Sequence, residues 1–181
     1  YCAARGIEVI PEIDMPGHNQ ALAAAYPEFF CFPDHNTKVS TTGGVGLYLV
    51  CPHKPEIWKF YAAVFDELRD IFPSTMVHLG GDEAPLEKTW EKCPLSVKYR
   101  QQKGMKDVHE ELKEFEAKMA SMLAARGKKP IFWYEKPWAQ ASVYRKGDTV
   151  FTWRMGLTPS TITETKKQGL PLIIAAGEHC Y

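Results

Sequence analysis

The sequence predicts an α/β fold with a parallel sheet, and three observations carry that expectation. Five short apolar segments rich in β-branched residues alternate with mostly helical connections. Each segment runs into polar or aromatic residues at its C-terminal end: Glu12 and Asp14, Asp82 and Glu83, Trp133 and Glu135, Trp153 and Arg154, then Glu178, His179 and Tyr181. Barrels and doubly wound sheets build their sites at such strand ends. Finally, a closed eight-unit barrel takes about 250 residues. A chain of 181 residues with five units therefore reads as part of a barrel.

The elements follow in order. Tyr1–Gly6 reads as the last turn of a helix with Gly6 just past its end. An opening inside a helix and an ending at Cys180-Tyr181 read as a segment of a longer polypeptide. Ile7–Asp14 is the first strand, and Met15-Pro16-Gly17-His18 is a turn, since Pro and Gly interrupt both ladder and helix. Residues 19–26 suit a short helix. Residues 31–54 have no period and carry Pro33, Gly43, Gly44, Gly46 and Pro52, so they form one long loop. Pro55 opens a helix with Trp58, Tyr61, Val64, Phe65, Leu68, Ile71 and Phe72 at spacings of three and four, and Pro73 ends it. The second strand is 75–79, leading into Gly80-Gly81-Asp82-Glu83. Residues 84–106 are mixed. Asp107 is an N-cap for a helix whose apolar face is Val108, Leu112, Phe115, Met119, Met122 and Leu123, and Gly127 stops it. Strands follow at 130–133, 149–153 and 172–175. A helix opened by Thr158-Pro159 and closed by Gly169 lies between the last two.

Lys plus Arg number 22 and Asp plus Glu number 22, so the formal charge is zero. That balance argues against a basic nucleic-acid face and a polybasic membrane surface. No run approaches the length of a membrane span. Apolar residues make up 45% and aromatics 12%, which suits a thick core or a pocket that stacks ring-shaped ligands. The five cysteines include no CxxC pair, which argues against a four-cysteine zinc site. Cys31 and Cys51 could close a loop as a disulfide or stand as separate thiols.

Asp82-Glu83 is the strongest local feature. Adjacent carboxylates at the end of an apolar strand raise each other's pKa, which suits a general acid near neutral pH. A solvated turn or an acidic helix start would also accommodate them.

The string His78-Leu79-Gly80-Gly81-Asp82-Glu83 resembles the signature of family 20 glycoside hydrolases, the β-N-acetylhexosaminidases. Arg5–His18 resembles that family's third barrel strand and its PGH turn. Trp133-Tyr134-Glu135 is similar to its fifth strand end, Trp153 to its sixth, and Glu178–Tyr181 to its seventh. The resemblance spans nearly the whole chain in the right order. It implies that residues 1–181 are a partial catalytic (β/α)8 TIM barrel domain covering roughly strands three to seven.

The resemblance also implies a retaining, substrate-assisted mechanism, an exception to the scheme with an enzyme nucleophile. In it the substrate's 2-acetamido oxygen attacks the anomeric carbon. Glu83 would be the acid and later the base, and Asp82 would orient the acetamido group. Trp133 and Trp153 would line its pocket, and Tyr181 would bind its carbonyl. His18 would sit beside the acid, with Asp14, Glu12 and Glu135 around the same strand ends. The partner would be a glycan with terminal N-acetylhexosamine, with no cofactor and no metal, in an exported compartment. Tyr134 stands where the family often has Asp, a change expected to alter the pocket. Sugar-holding groups of strands one and eight lie outside this sequence.

Two other readings are a barrel metallohydrolase using His18, His78, Asp82 and Glu83, and a sugar-binding barrel without catalysis. Adjacent carboxylates, which a binding module does not need, favour an enzyme over the latter.

Overall fold

The computed structural model describes residues 1–42, 46–134, 148–154 and 156–180. Four parallel strands form a sheet in sequential order: β1 (Met76–His78), β2 (Lys129–Trp133), β3 (Val150–Thr152) and β4 (Leu172–Ile174). The register pairs His78 with Ile131, Trp133 with Phe151, and Phe151 with Ile173. Neighbours in space are neighbours in sequence, and every crossover among described residues is parallel. That is the order of consecutive barrel staves.

The first expected strand, 7–14, is a stave reduced to a single bridge. Glu12 pairs in parallel with His78. The Pro11 carbonyl accepts from His78 N–H at 2.9 Å, and Ile13 N–H donates to the His78 carbonyl at 2.9 Å. Pro11 has no N–H to give. Residues 7–9 are exposed and pair with nothing among the described residues.

Helices cover the outer face: α1 (Gln20–Ala25), α2 (Pro55–Ile71), α3 (Pro94–Lys103), α4 (Val108–Ala124), α5 (Thr158–Gln168) and α6 (Gly177–Cys180). Pro55 occupies the first turn of α2, where a missing N–H costs nothing. Asp107 caps α4 by accepting from the N–H groups of His109 and Glu110 at 2.9 and 3.1 Å. The periodic faces pack as expected: Tyr61, Phe65 and Leu68 of α2 meet Leu112, Phe115, Met119 and Leu123 of α4 in one core cluster. Ile71 departs from that pattern and is 66% exposed, while Leu68 and Phe72 continue the packed stripe.

Three further expectations change. Tyr1–Gly6 holds only a single 3-10 turn, Ala3–Arg5, although Gly6 does close it in the left-handed region. The mixed stretch 84–106 contains a 3-10 turn (Leu86–Lys88) and α3, whose weak apolar face hid it from periodicity. Residues around Glu178 and His179 form the short α6 rather than a strand end.

The sheet's two faces are divided by the period of two. Val77, Leu79 and Phe132 enter the core shared with the helices. Glu12, His78, Trp133 and Phe151 meet on the other face, with the His78 ring 4.5 Å from Trp133 and 5.1 Å from Phe151. Tyr134 belongs to the outer side, in a cluster with Val150 and Leu170. Its replacement of an Asp therefore does not reshape the inner face, contrary to expectation.

Candidate active site

The chain leaves β1 through Leu79 and turns sharply at Gly80-Gly81. Gly80 has φ +66°. A Cβ there would stand 1.9 Å from Asp14 Oδ1 and 2.7 Å from Asp14 Cα, so only glycine lets the two strand ends touch. Gly81 N–H donates to Asp14 Oδ1 at 3.1 Å. This contact sets the acid pair, at the end of β1, beside the end of the neighbouring stave.

The Pro16-Gly17-His18 turn packs over the pair. A Cβ on Gly17 would lie 3.5 Å from the Asp82 carbonyl oxygen. The Asn19 amide pins this turn by donating to the carbonyls of Asp14, at 3.2 Å, Pro16, at 3.0 Å, and Gly17. His18 Nε2 stands 3.6 Å from both Asp82 Oδ2 and Glu83 Oε2. Arg154, at the end of β3, reaches within 3.5 Å of Glu83 Oε1. The guanidinium also lies 5.1 Å from the centre of the Trp153 ring. His18 and Glu83 both hold left-handed φ values, 52° and 50°, uncommon for residues with a side chain.

Four carboxylates gather here. Asp82 is buried, and the Asp14 carboxyl hydrogen-bonds to its side chain. Burial first, and then the charge of Asp82, push Asp14 up to about 9. Asp14 is thus a neutral acid at pH 7, lying against Asp82. Burial also raises Glu12, which accepts from Trp133 Nε1 at 2.8 Å and so fixes the indole against the inner face.

His78 is buried, and burial lowers it to about 4. Its Nδ1 accepts from Gly80 N–H at 3.0 Å, which places the proton on Nε2. His78 is therefore a neutral ring packed among rings. The metallohydrolase reading needs it beside His18, Asp82 and Glu83. The candidate ligand atoms that lie within 4.8 Å of one another belong instead to Asp14, His18 and Asp82.

The structure thus brings together Asp14, His18, Asp82 and Glu83, with Trp133 and Trp153 at adjacent strand ends. Glu135 and Tyr181 lie outside the described residues. The sequence reading gave no role to Asn19 and named Arg154 only as a strand-end residue, without its Glu83 partner. Asn19 directly follows the PGH turn and Arg154 follows the strand-end Trp153, positions that offered a signal. Their partners, however, are set by folding.

The catalytic-domain model of glycosyl hydrolase family 20 matches residues 1–181. A beta-hexosaminidase of Akkermansia muciniphila is 61% identical over 181 residues, all of this chain and 36% of the relative. The human beta-hexosaminidase subunit beta is 28% identical over 179 residues, 97% of this chain and 31% of its own length. Among solved structures, a beta-N-acetylhexosaminidase superposes with a TM-score of 0.93 at 61% identity, over all of this chain and 38% of that one. Flavobacterium johnsoniae chitobiase gives a TM-score of 0.81 at 28% identity, over 97% of this chain and 26% of its own. The chain thus spans roughly a third of the length of these relatives.

Proposed function

The chain belongs to glycosyl hydrolase family 20, whose catalytic domain is a (β/α)8 barrel, and on that premise we propose that the protein hydrolyses terminal, non-reducing β-linked N-acetylhexosamine from glycans with retention at the anomeric carbon. The observation that carries this reading is the adjacent pair Asp82 and Glu83 at the end of β1, with His18 Nε2 3.6 Å from a carboxylate oxygen of each. Such a pair can supply one general acid and one acceptor for a donor on the substrate. An acetamido N–H is a donor of the right kind.

Each group then has one task. Asp82 accepts the acetamido N–H and turns the carbonyl oxygen toward the anomeric carbon. Glu83 gives its proton to the leaving glycosidic oxygen as that carbonyl oxygen attacks, and the C–O bond breaks to leave an oxazolinium. Asp82 faces the positive charge that has formed. Water then attacks the anomeric carbon, Glu83 takes its proton, and the acetamido group is regenerated. His18 and Arg154 hold Glu83 from two sides at 3.6 and 3.5 Å. Trp133 and Trp153 bound the acetamido group, with Tyr181 on its carbonyl and Glu135 beside the sugar, by resemblance. We further propose, from the resemblance alone, that the protein works in an exported compartment.

The test uses the complete protein. Glu83→Gln should lower turnover of substrates with poor leaving groups by about 10² to 10⁴, and good leaving groups should suffer less. Asp82→Asn should weaken a thiazoline mimic of the intermediate and lower turnover by about 10² to 10³. An unchanged inhibition constant for the mimic, or a glycosyl adduct trapped on a carboxylate, would overturn the substrate-assisted mechanism.

A further inference from the structure

Away from the acid pair, three cysteines that are distant in sequence converge. The antiparallel bridge between Phe30 and Val50 sets Cys31 and Cys51 side by side at the two ends of the long loop. Trp90 Nε1 donates to the Val50 carbonyl at 2.9 Å and draws the start of α3 against them. Cys93 is the N-cap residue immediately before this ten-residue helix. The sulfurs of Cys31, Cys51 and Cys93 lie within 4.8 Å of one another, and all three are free thiols. Cys51 and Cys93 are fully buried, and Cys31 is half-buried.

Two further features distinguish this cluster from chance thiols in a core. The backbone N–H of His53 is directed at the Cys51 sulfur, and that of Ser96 at the Cys93 sulfur. Ser96 N–H belongs to the first turn of α3. A cavity of about 20 Å³ opens at Cys31, lined also by Phe30, Tyr48 and Thr89. Roughly 10–15 Å³ is enough for one water.

We propose that Cys31, Cys51 and Cys93 form a zinc site, each supplying one thiolate ligand. Thiolates around a tetrahedral zinc at ~2.3 Å stand ~3.8 Å apart. The spacing seen here needs a contraction of about 1 Å or less. Binding replaces the S–H protons by Zn–S bonds and releases those protons to solvent. The ion ties both ends of the long loop to α3. Because Cys51 follows Pro16's partner Val50, whose N–H donates to the Pro16 carbonyl at 3.2 Å, the site also braces the turn that carries His18.

The experiment takes the complete protein with Cys2→Ser and Cys180→Ser, which leaves these three of the five cysteines in this chain. After purification under reducing conditions, elemental analysis should find about one zinc per chain. After chelation, cadmium should restore a thiolate charge-transfer absorption that saturates at the same stoichiometry. Adding Cys93→Ser should weaken metal binding by more than the ~10–100-fold typical of second-shell changes. Zinc far below stoichiometry with no cadmium band would overturn the proposal. So would a Cys31–Cys51 disulfide in a non-reducing peptide map of the native protein. The cadmium titration decides even if Cys93→Ser does not fold.

Discussion

Asp14 shows how one side chain can link the site to pH. Its carboxyl is pushed from an ordinary 3.8 to about 9, by burial first and by Asp82 second. The native protein therefore keeps a proton through neutral pH that the unfolded chain gives up. Stability changes with pH as protons bound in the unfolded state minus protons bound in the native state. That difference is negative between 3.8 and about 9, so this group lowers stability as pH rises through that window. Below it both states are protonated, and the contribution is flat. Asp14→Asn keeps an acceptor for Gly81 N–H but cannot ionise. The fall in Tm between about pH 5 and about pH 8 should be shallower in the variant. Parallel Tm profiles for the two proteins would show that Asp14 is ionised in the native state.

At the scale of elements, the site depends on two strand ends that touch. Gly80 allows this contact, because its Cβ position is occupied by Asp14. Gly104 offers a control. It has nearly the same φ, 65°, but a Cβ there would meet nothing within 4 Å. Gly104→Ala should cost about 1–2 kcal/mol, the price of a left-handed alanine. Gly80→Ala carries that cost and must also displace Asp14, so it should lose distinctly more stability in urea unfolding, together with most activity. Equal costs for the two variants would mean that the strand ends can separate without penalty. The other anchor of the region is a buried charge cluster. Glu111 of α4 accepts from Arg100 of α3 and pairs with His53 of the long loop, both at 2.7 Å. Removing one partner of such a cluster is costly because the other charges stay buried.

For the whole molecule, among the described residues no strand lies beyond β4 and only the Glu12 bridge lies beyond β1. Ile7 and Val9 flank the Glu12 side, and Ile173 and Ile174 the β4 side, with exposures of 52, 37, 40 and 48%. Open parallel edges with apolar residues pair readily with other edges, and closing the barrel removes them. The 181-residue chain produced by itself should therefore self-associate in sedimentation experiments. Introducing Lys at Ile7 and Ile173 should shift it toward monomer. A monomeric, cooperatively unfolding chain would show that these edges are protected within these residues. It should also lack hexosaminidase activity, because resemblance assigns further sugar-holding groups to strands one and eight.

Local chemistry made several features readable from the residues alone. Pro55, Asp107 and Gly169 mark helix ends through effects that act within one turn. The faces of α2 and α4 repeat because helices bury one stripe. The acid pair stands out because adjacent carboxylates after two glycines are costly. Other features needed atoms brought together from far apart. Glu12 fixes Trp133 across 121 positions, and burial makes Asp14, two residues away, the neutral acid of the cluster. Tyr134, adjacent to Trp133, turns out to face the helices because the strand alternates. The segment 7–14 had the composition of a strand, yet its one ladder bridge is at Glu12, since a strand forms where a neighbour supplies hydrogen bonds. Three cysteines without a spacing motif meet at one point because the long loop, the Phe30–Val50 bridge and α3 pack together. Propensity and periodicity are local and survive in a one-dimensional reading. Desolvation, charge proximity and ligand convergence fall off within a few ångströms of space, and only the folded chain sets those distances.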